Sequence, residues 1–290
     1  MKINFYNSRQ ETISQINLWV APTVAGSVVL PDNSFNILSN SEKRKFRRLL
    51  LESDRHRYLV SHTLLRKVLS YTVGGEVEPG RWLFTRNKYG KPAVDTKAQL
   101  PNLYFNLSHS GRLAVVAVSL TCPVGVDIEP VIRTIDAEAH LDAVMSTGER
   151  AWLKSCPITL RGENLTRIWT VKEAYAKLIG KGFSLDFESF EVTLDPMRIV
   201  RTEFCGQHPD DLYLETRKIR ILDGHYHLSL AALCPQAGEI GVTLRVLSDL
   251  SSIGTNCEDS MDDLKEDAIY TNSAERSFLD QNRVCSLYDR

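Results

Sequence analysis

The chain has 290 residues, 43% of them hydrophobic and 24% charged, which is ordinary globular usage and argues against a disordered, collagen-like or disulfide-dense chain. At one domain per roughly 150 residues the length predicts two domains, with enough chain to bury a sizeable core. Lysine plus arginine (35) nearly balances aspartate plus glutamate (36), so no whole-chain charge draws the protein to nucleic acid or to a membrane.

Ser41 to Tyr71 reads as one or two helices, with Ser41 as N-cap and Tyr58, Leu64, Leu65, Val68 and Leu69 near helical spacing. The stretch is basic. Nine cations, among them Lys43, Lys45 and Arg57, face three acids, a net of +6. Such a run is either a solvated helix face or a surface for a phosphate-rich ligand or an acidic partner. Strand-like runs follow at Arg81 to Thr85, Leu103 to Leu107, Leu113 to Ser119 and Val124 to Ile128, with Tyr89 to Pro92 as a turn. Helices are predicted at about Asp136 to Val144, Thr147 to Ser155 and Glu163 to Ile179, the last stopped by Gly180. Strands return at Phe190 to Leu194, Leu212 to Arg220, Tyr226 to Leu233 and Ile240 to Leu247. Helices and strands come in clusters, not in strict alternation, which predicts an α+β fold. From Asp249 to Arg290 ten acids face four bases, a net of −6, and apolar residues are sparse, so this segment reads as an acidic, flexible tail.

The six cysteines, at 122, 156, 205, 234, 257 and 285, include no pair closer than 23 positions. That excludes CxxC zinc or redox spacing and predicts reduced thiols in a cytoplasmic protein. The first fifteen residues lack the apolar core of a signal peptide. The most apolar run, Leu113 to Val126, is too short to span a bilayer and is interrupted by Ser119, Thr121 and Pro123.

Three small patterns carry chemistry. Asp127 and Glu129 flank Ile128 at a strand end, so both carboxylates point to one face and offer Mg²⁺ the hard oxygens it prefers. Glu173 and Lys177 are one helical turn apart, with Trp169 a further turn back; the plain reading is a helix ion pair. Asn106 to Gly111 ends a strand in a turn holding Ser108 and His109, able to meet a phosphate through side chains and free N–H groups. No nucleophile elbow or hydrolytic triad is present. Each pattern alone is more often structural. Together they point to Mg²⁺-dependent chemistry on a phosphate or pyrophosphate ester, a class that also contains nucleases and phosphodiesterases.

The runs FNLSHSG (Phe105 to Gly111), GVDIEP (Gly125 to Pro130), WTVKEAYAKLIGKG (Trp169 to Gly182) and YGKP (Tyr89 to Pro92) resemble, in order and rough spacing, the 4′-phosphopantetheinyl transferases. The likeness is to the larger, monomeric class typified by the surfactin-synthetase activator, and it covers about Ser41 to Leu233. It implies two similar α+β lobes with coenzyme A in the cleft between them, here an N-terminal lobe over 1–121, a C-terminal lobe over 122–248 and the acidic tail over 249–290. It implies a cytoplasmic monomer that moves 4′-phosphopantetheine from coenzyme A to a serine of an apo acyl or peptidyl carrier protein and releases adenosine 3′,5′-bisphosphate. Neither nucleic acid nor membrane is an expected partner. The cofactor implied is Mg²⁺, with Mn²⁺ as a substitute. By motif, Asp127, Glu129 and Glu173 hold the metal and Glu173 is also a candidate base. Lys177 stabilises charge on the leaving bisphosphate. Ser108 and His109 contact the 3′-phosphate, and Arg57 and Lys91 the nucleotide end. Lys43 and Lys45 resemble the basic pair ahead of that arginine. A nuclease would leave YGKP and SHSG unexplained, and a non-catalytic coenzyme-binding scaffold would not need all three acids and Lys177.

Overall fold

The strand Leu113–Ser119 is buried at every position, which requires a layer on each of its two faces. Those layers emerge from the element order. In the computed structural model, which describes residues 13–132, 144–200, 211–234 and 239–254, the chain runs β1 (Ile13–Pro22), α1 (Asn40–Arg48), α2 (Glu52–Thr72), β2 (Phe84–Arg86), β3 (Pro92–Val94), β4 (Tyr104–Ser110), β5 (Leu113–Ser119) and β6 (Val124–Pro130). It continues through α3 (Thr147–Ser155), α4 (Ile158–Ile179), β7 (Glu191–Leu194), β8 (Met197–Val200), β9 (Leu212–Ile221), β10 (Gly224–Leu233) and β11 (Glu239–Val246). The expected α+β class is what forms.

A four-stranded sheet, β11-β1-β5-β4, packs against a three-stranded sheet, β6-β10-β9. Period-two alternation sorts the side chains. Ile16, Leu18, Val20, Leu113, Val115 and Ala117 of the first sheet meet Val124, Val126, Ile128, Leu228 and Leu230 of the second in one core. The opposite face of the first sheet, with Trp19, Ala114, Val116 and Val118, packs on Leu64, Leu65, Val68 and Leu69 of α2. On the far side of the second sheet Ala231 and Leu233 meet Ile168, Val171, Ala174 and Leu178 of α4. The order of layers is therefore helix, sheet, sheet, helix. Burying a leucine or valine in such a core contributes roughly 1.5–3 kcal/mol.

Several expectations are corrected. The N-cap of α1 is Ser39, not Ser41: Ser39 accepts from the Glu42 amide while the Glu42 carboxylate takes the Ser39 amide, a reciprocal capping box. Strand β1 was not expected, because its polar side chains mask the alternation and its ladder to β11 joins segments more than 200 residues apart. The strand expected over Ile240 to Leu247 forms as β11 and runs parallel to β1 along Ile13↔Glu239 to Val20↔Val246. The first residues of the acidic segment are packed: Leu250 and Ile253 are buried in the core beneath α2, and Asp249 bridges Val29. The rest of that segment lies outside the described residues, as does nearly all of the helix expected over 136–144. Cys122 and Cys234 are joined as a disulfide, against the expectation of reduced thiols. Their separation of 112 residues hides a proximity created when β10 pairs with β6. Among the described residues no helix is long and apolar enough to cross a membrane.

Candidate active site

Alternation along β6 turns Gly125, Asp127 and Glu129 toward α4 and the intervening apolar residues toward the core. Gly125 makes the approach possible. A Cβ there would lie 2.1 Å from the carbonyl oxygen of Ala174 and 2.3 Å from the amide of Leu178, so helix backbone rests directly on strand backbone. That contact carries the α4 face with Glu173 and Lys177 onto the two strand carboxylates. Lys172, next in sequence, points the other way. It is fully buried, paired with Glu149 at 2.6 Å and bonded to the carbonyls of Val144, Phe187 and Phe190, so it anchors the helix and does not enter the site.

Lys177 does not close the helix ion pair with Glu173 that its spacing predicts. Its Nζ donates to Asp127 Oδ1 at 2.5 Å and to Ser108 Oγ at 2.8 Å. Ser108 Oγ in turn donates to the same Asp127 oxygen at 2.8 Å. One step along each strand, Ser110 donates to Glu129. The edge strands of the two sheets are thus joined by side chains at Ser108–Asp127 and Ser110–Glu129, and by the Val126 amide donating to Asn106 Oδ1 at 3.0 Å.

The cluster carries more negative charge than its cation offsets. Burial pushes Glu173 up to about 7; Lys177 opposes the shift, and the charges of Asp127 and Glu129 reinforce it. Burial also raises Glu129, against the hydrogen bond from Ser110 and with the help of Asp127. Asp127 Oδ2 and Glu173 Oε1 are buried with no hydrogen-bond partner, an expensive arrangement for carboxylate oxygens unless a cation faces them. Among the described residues no group of three or more His, Cys, Asp or Glu side chains is placed to hold a metal ion, and Lys177, Ser108 and Ser110 bond oxygens of Asp127 and Glu129. The donor set nonetheless fits a hard divalent cation: all oxygen, two acceptors orphaned, and two carboxyls raised first by burial and then by one another's charge.

His109 lies on the opposite face of β4 from Ser108 and Ser110. The two residues expected to share one phosphate are therefore turned to different sides. Protein packed around the imidazole lowers its pKa although one side is open to water, and the positive charges of Arg57, Lys177 and His62 add to the effect. Arg57, on the first turns of α2, is half-exposed and pairs with Asp54 at 2.6 Å. His62 Nδ1 lies 2.9 Å from Glu42 Oε1, and its ring stacks on Tyr58 at 4.0 Å. Glu42 Oε2 is held by the fully buried Arg66 at 2.7 Å. Lys45 lies over the Tyr58 ring at 5.4 Å, beside this group. Lys43 turns away, over Phe35 and onto the Asn36 carbonyl. Lys91 is also elsewhere, its ammonium on the carbonyls of Leu178 at 2.9 Å and Val124 at 3.3 Å.

Sequence reasoning missed Ser110 and His62. Ser110 was findable, since it shares a strand face with Ser108. His62 stacks on Tyr58 one turn back in α2, but its hydrogen-bond partner Glu42 comes from α1, which no local pattern signals.

Two family models match the chain. One, described as the 4′-phosphopantetheinyl transferase superfamily, matches residues 123–231; the other, described as the 4′-phosphopantetheinyl transferase N-terminal region, matches residues 32–121. The 4′-phosphopantetheinyl transferase HetI of Nostoc sp. is 32% identical over 182 residues, 63% of this chain and 75% of that protein. A 4′-phosphopantetheinyl transferase of Bacillus subtilis is 30% identical over 220 residues, 76% of this chain and 92% of that protein. The transferase psf-1 of Bacillus pumilus is 36% identical over 188 residues, 64% of this chain and 75% of that protein.

Proposed function

This chain belongs to the 4′-phosphopantetheinyl transferase superfamily and is an enzyme of that type, and we propose that it moves 4′-phosphopantetheine from coenzyme A to a serine of an apo carrier protein with the help of Mg²⁺. The bond formed joins the serine oxygen to the β-phosphorus of the coenzyme. The bond broken joins that phosphorus to the bridging oxygen, and adenosine 3′,5′-bisphosphate leaves.

Asp127, Glu129 and Glu173 would hold the ion, and the orphaned Asp127 Oδ2 and Glu173 Oε1 are the observation that carries this reading. The bound ion supplies charge neutralisation at the pyrophosphate. Lys177, now on Asp127 and Ser108, sits at the same cluster and is a flexible cation able to turn to the leaving α-phosphate. Glu173, kept ionised by the ion, is the acceptor proposed for the serine proton. On the other face of β4, His109 and Arg57, with Lys45 nearby, are a cationic seat for the 3′-phosphate. A histidine whose charge is disfavoured by neighbouring cations regains it when an anion arrives. Ser108 orients Asp127 and Lys177.

The test is to incubate the protein with coenzyme A, Mg²⁺ and a panel of apo carrier proteins and weigh each carrier. A mass gain of one phosphopantetheine that requires the ion is expected. A protein that leaves every carrier unmodified does not have this function.

A further inference from the structure

The YGKP turn has a use in the fold that its likeness to a nucleotide contact does not convey. We propose that Asn87 and Lys91 are positioning residues that lock the end of α4 to the start of β6, and so fix Lys177 and Glu173 against Asp127 and Glu129.

The last carbonyls of a helix have no intrahelical donor. At the end of α4 the Leu178 carbonyl and that of the cap residue Gly180 are met by the β2–β3 loop, which belongs to the other lobe. Lys91 Nζ donates to the Leu178 carbonyl at 2.9 Å, and Asn87 Nδ2 donates to the Gly180 carbonyl at 2.8 Å. The same Lys91 ammonium reaches the carbonyl of Val124, the first residue of β6, at 3.3 Å. One side chain therefore ties together the helix that carries Glu173 and Lys177 and the strand that carries Asp127 and Glu129. A cation at a helix C-terminus is favoured by the helix dipole as well.

The loop that delivers these groups is internally closed. Asn87 Oδ1 accepts from the amides of Tyr89 at 3.0 Å and Lys91 at 2.9 Å, and the Asn87 amide donates to the Lys91 carbonyl at 3.0 Å. The fit is close on the helix side too. Gly180 has φ +73, and a Cβ there would stand 2.9 Å from both Asn87 Nδ2 and Lys91 Cδ. Leu178 immediately follows Lys177, so any freedom in the last turn is passed directly to the ammonium that bonds Asp127. Burial holds Lys91 down to about 8, and the ammonium is met by backbone carbonyls.

The activity readout rests on the transferase reading; the structural readout does not. Asn87→Ala and Lys91→Met are compared with wild type for kcat, for KM toward coenzyme A and 3′-dephospho-coenzyme A, and for amide hydrogen exchange over Ala176 to Gly180. A displacement near 1 Å can cost up to about a hundredfold in rate. The expected result is a fall in kcat of about tenfold or more in both variants, with KM for either coenzyme within about twofold and faster exchange in the last turn of α4. Asn87→Ala is the informative partner, because it removes no cation and is the milder change should Lys91→Met fold poorly. A rise in KM for coenzyme A on Lys91→Met alone, with Asn87→Ala silent, makes Lys91 a ligand contact and overturns the proposal. Unchanged exchange in both variants overturns it as well, even if wild type modifies no carrier and the transferase reading itself has failed.

Discussion

The Nζ of Lys177 stands 2.5 Å from Asp127 Oδ1, and this contact joins the helix and the strand that carry the acids of the site. It leaves Asp127 Oδ2 facing inward without a partner, so the carboxylate is half satisfied by the protein and half available to an ion.

Replacing Asp127 by asparagine keeps the side-chain shape and removes the charge. Transfer is expected to fall by at least about a hundredfold, in line with removal of a group that holds transition-state charge. Lys177 is partly exposed and can rehydrate, so the fold should persist. Initial rates and a circular-dichroism melt decide the matter: near-normal rates in a folded D127N protein exclude the metal-site assignment.

His109→Ala should raise KM for coenzyme A and penalise 3′-dephospho-coenzyme A less. A charge-assisted contact to phosphate is worth roughly 1.5–3 kcal/mol, or about tenfold and upward in affinity. Equal penalties for the two coenzymes would place the 3′-phosphate somewhere else.

Gly125→Ala puts a methyl 2.1 Å from the Ala174 carbonyl, where backbone on both sides leaves no side chain to move. The helix must lift from the strand. Overpacking of this kind costs about 1–3 kcal/mol or more, and kcat should fall as Glu173 and Lys177 shift. Urea unfolding with unchanged stability would show that the α4–β6 approach is looser than the contact implies.

The Glu42 network gives stability its acid dependence. Burial alone would raise Glu42, but the hydrogen bond from His62 and the charges of Arg66 and His62 bring it from 4.5 down to about 2. A depressed carboxylate stabilises the fold fully above its unfolded value and loses that contribution as pH falls toward the folded one. The shift corresponds to something on the order of 3 kcal/mol. Unfolding free energies of wild type and Glu42→Gln should differ most above about pH 4.5 and converge between there and pH 2. A gap that stays constant with pH would show that the carboxylate's charge is not what stabilises this corner.

Much of the secondary structure was legible locally. Leu113–Ser119 and Thr147–Ser155 form over the bounds expected for them, because a short apolar run and a helical spacing each declare themselves within a few residues. The co-facial pair Asp127 and Glu129 was legible for the same reason, since strand alternation is a local rule. The Glu173–Lys177 pair was misread by that logic: helical spacing brings the two side chains near each other, but Asp127 and Ser108 come closer to the ammonium.

The sequence by itself determined which side chains share a face within an element, where most of the helices and strands lie, and which motifs carry acids and cations. The tertiary structure alone decided that β11 returns to β1, that Cys122 meets Cys234, that Ser108 meets Asp127 and Lys177, and that a loop between β2 and β3 closes the end of α4. Alternation and helical periodicity follow from backbone geometry within a few residues. The partner each face meets depends on contacts between distant segments, such as Gln15 and Thr243, 228 residues apart, and no short-range pattern encodes those.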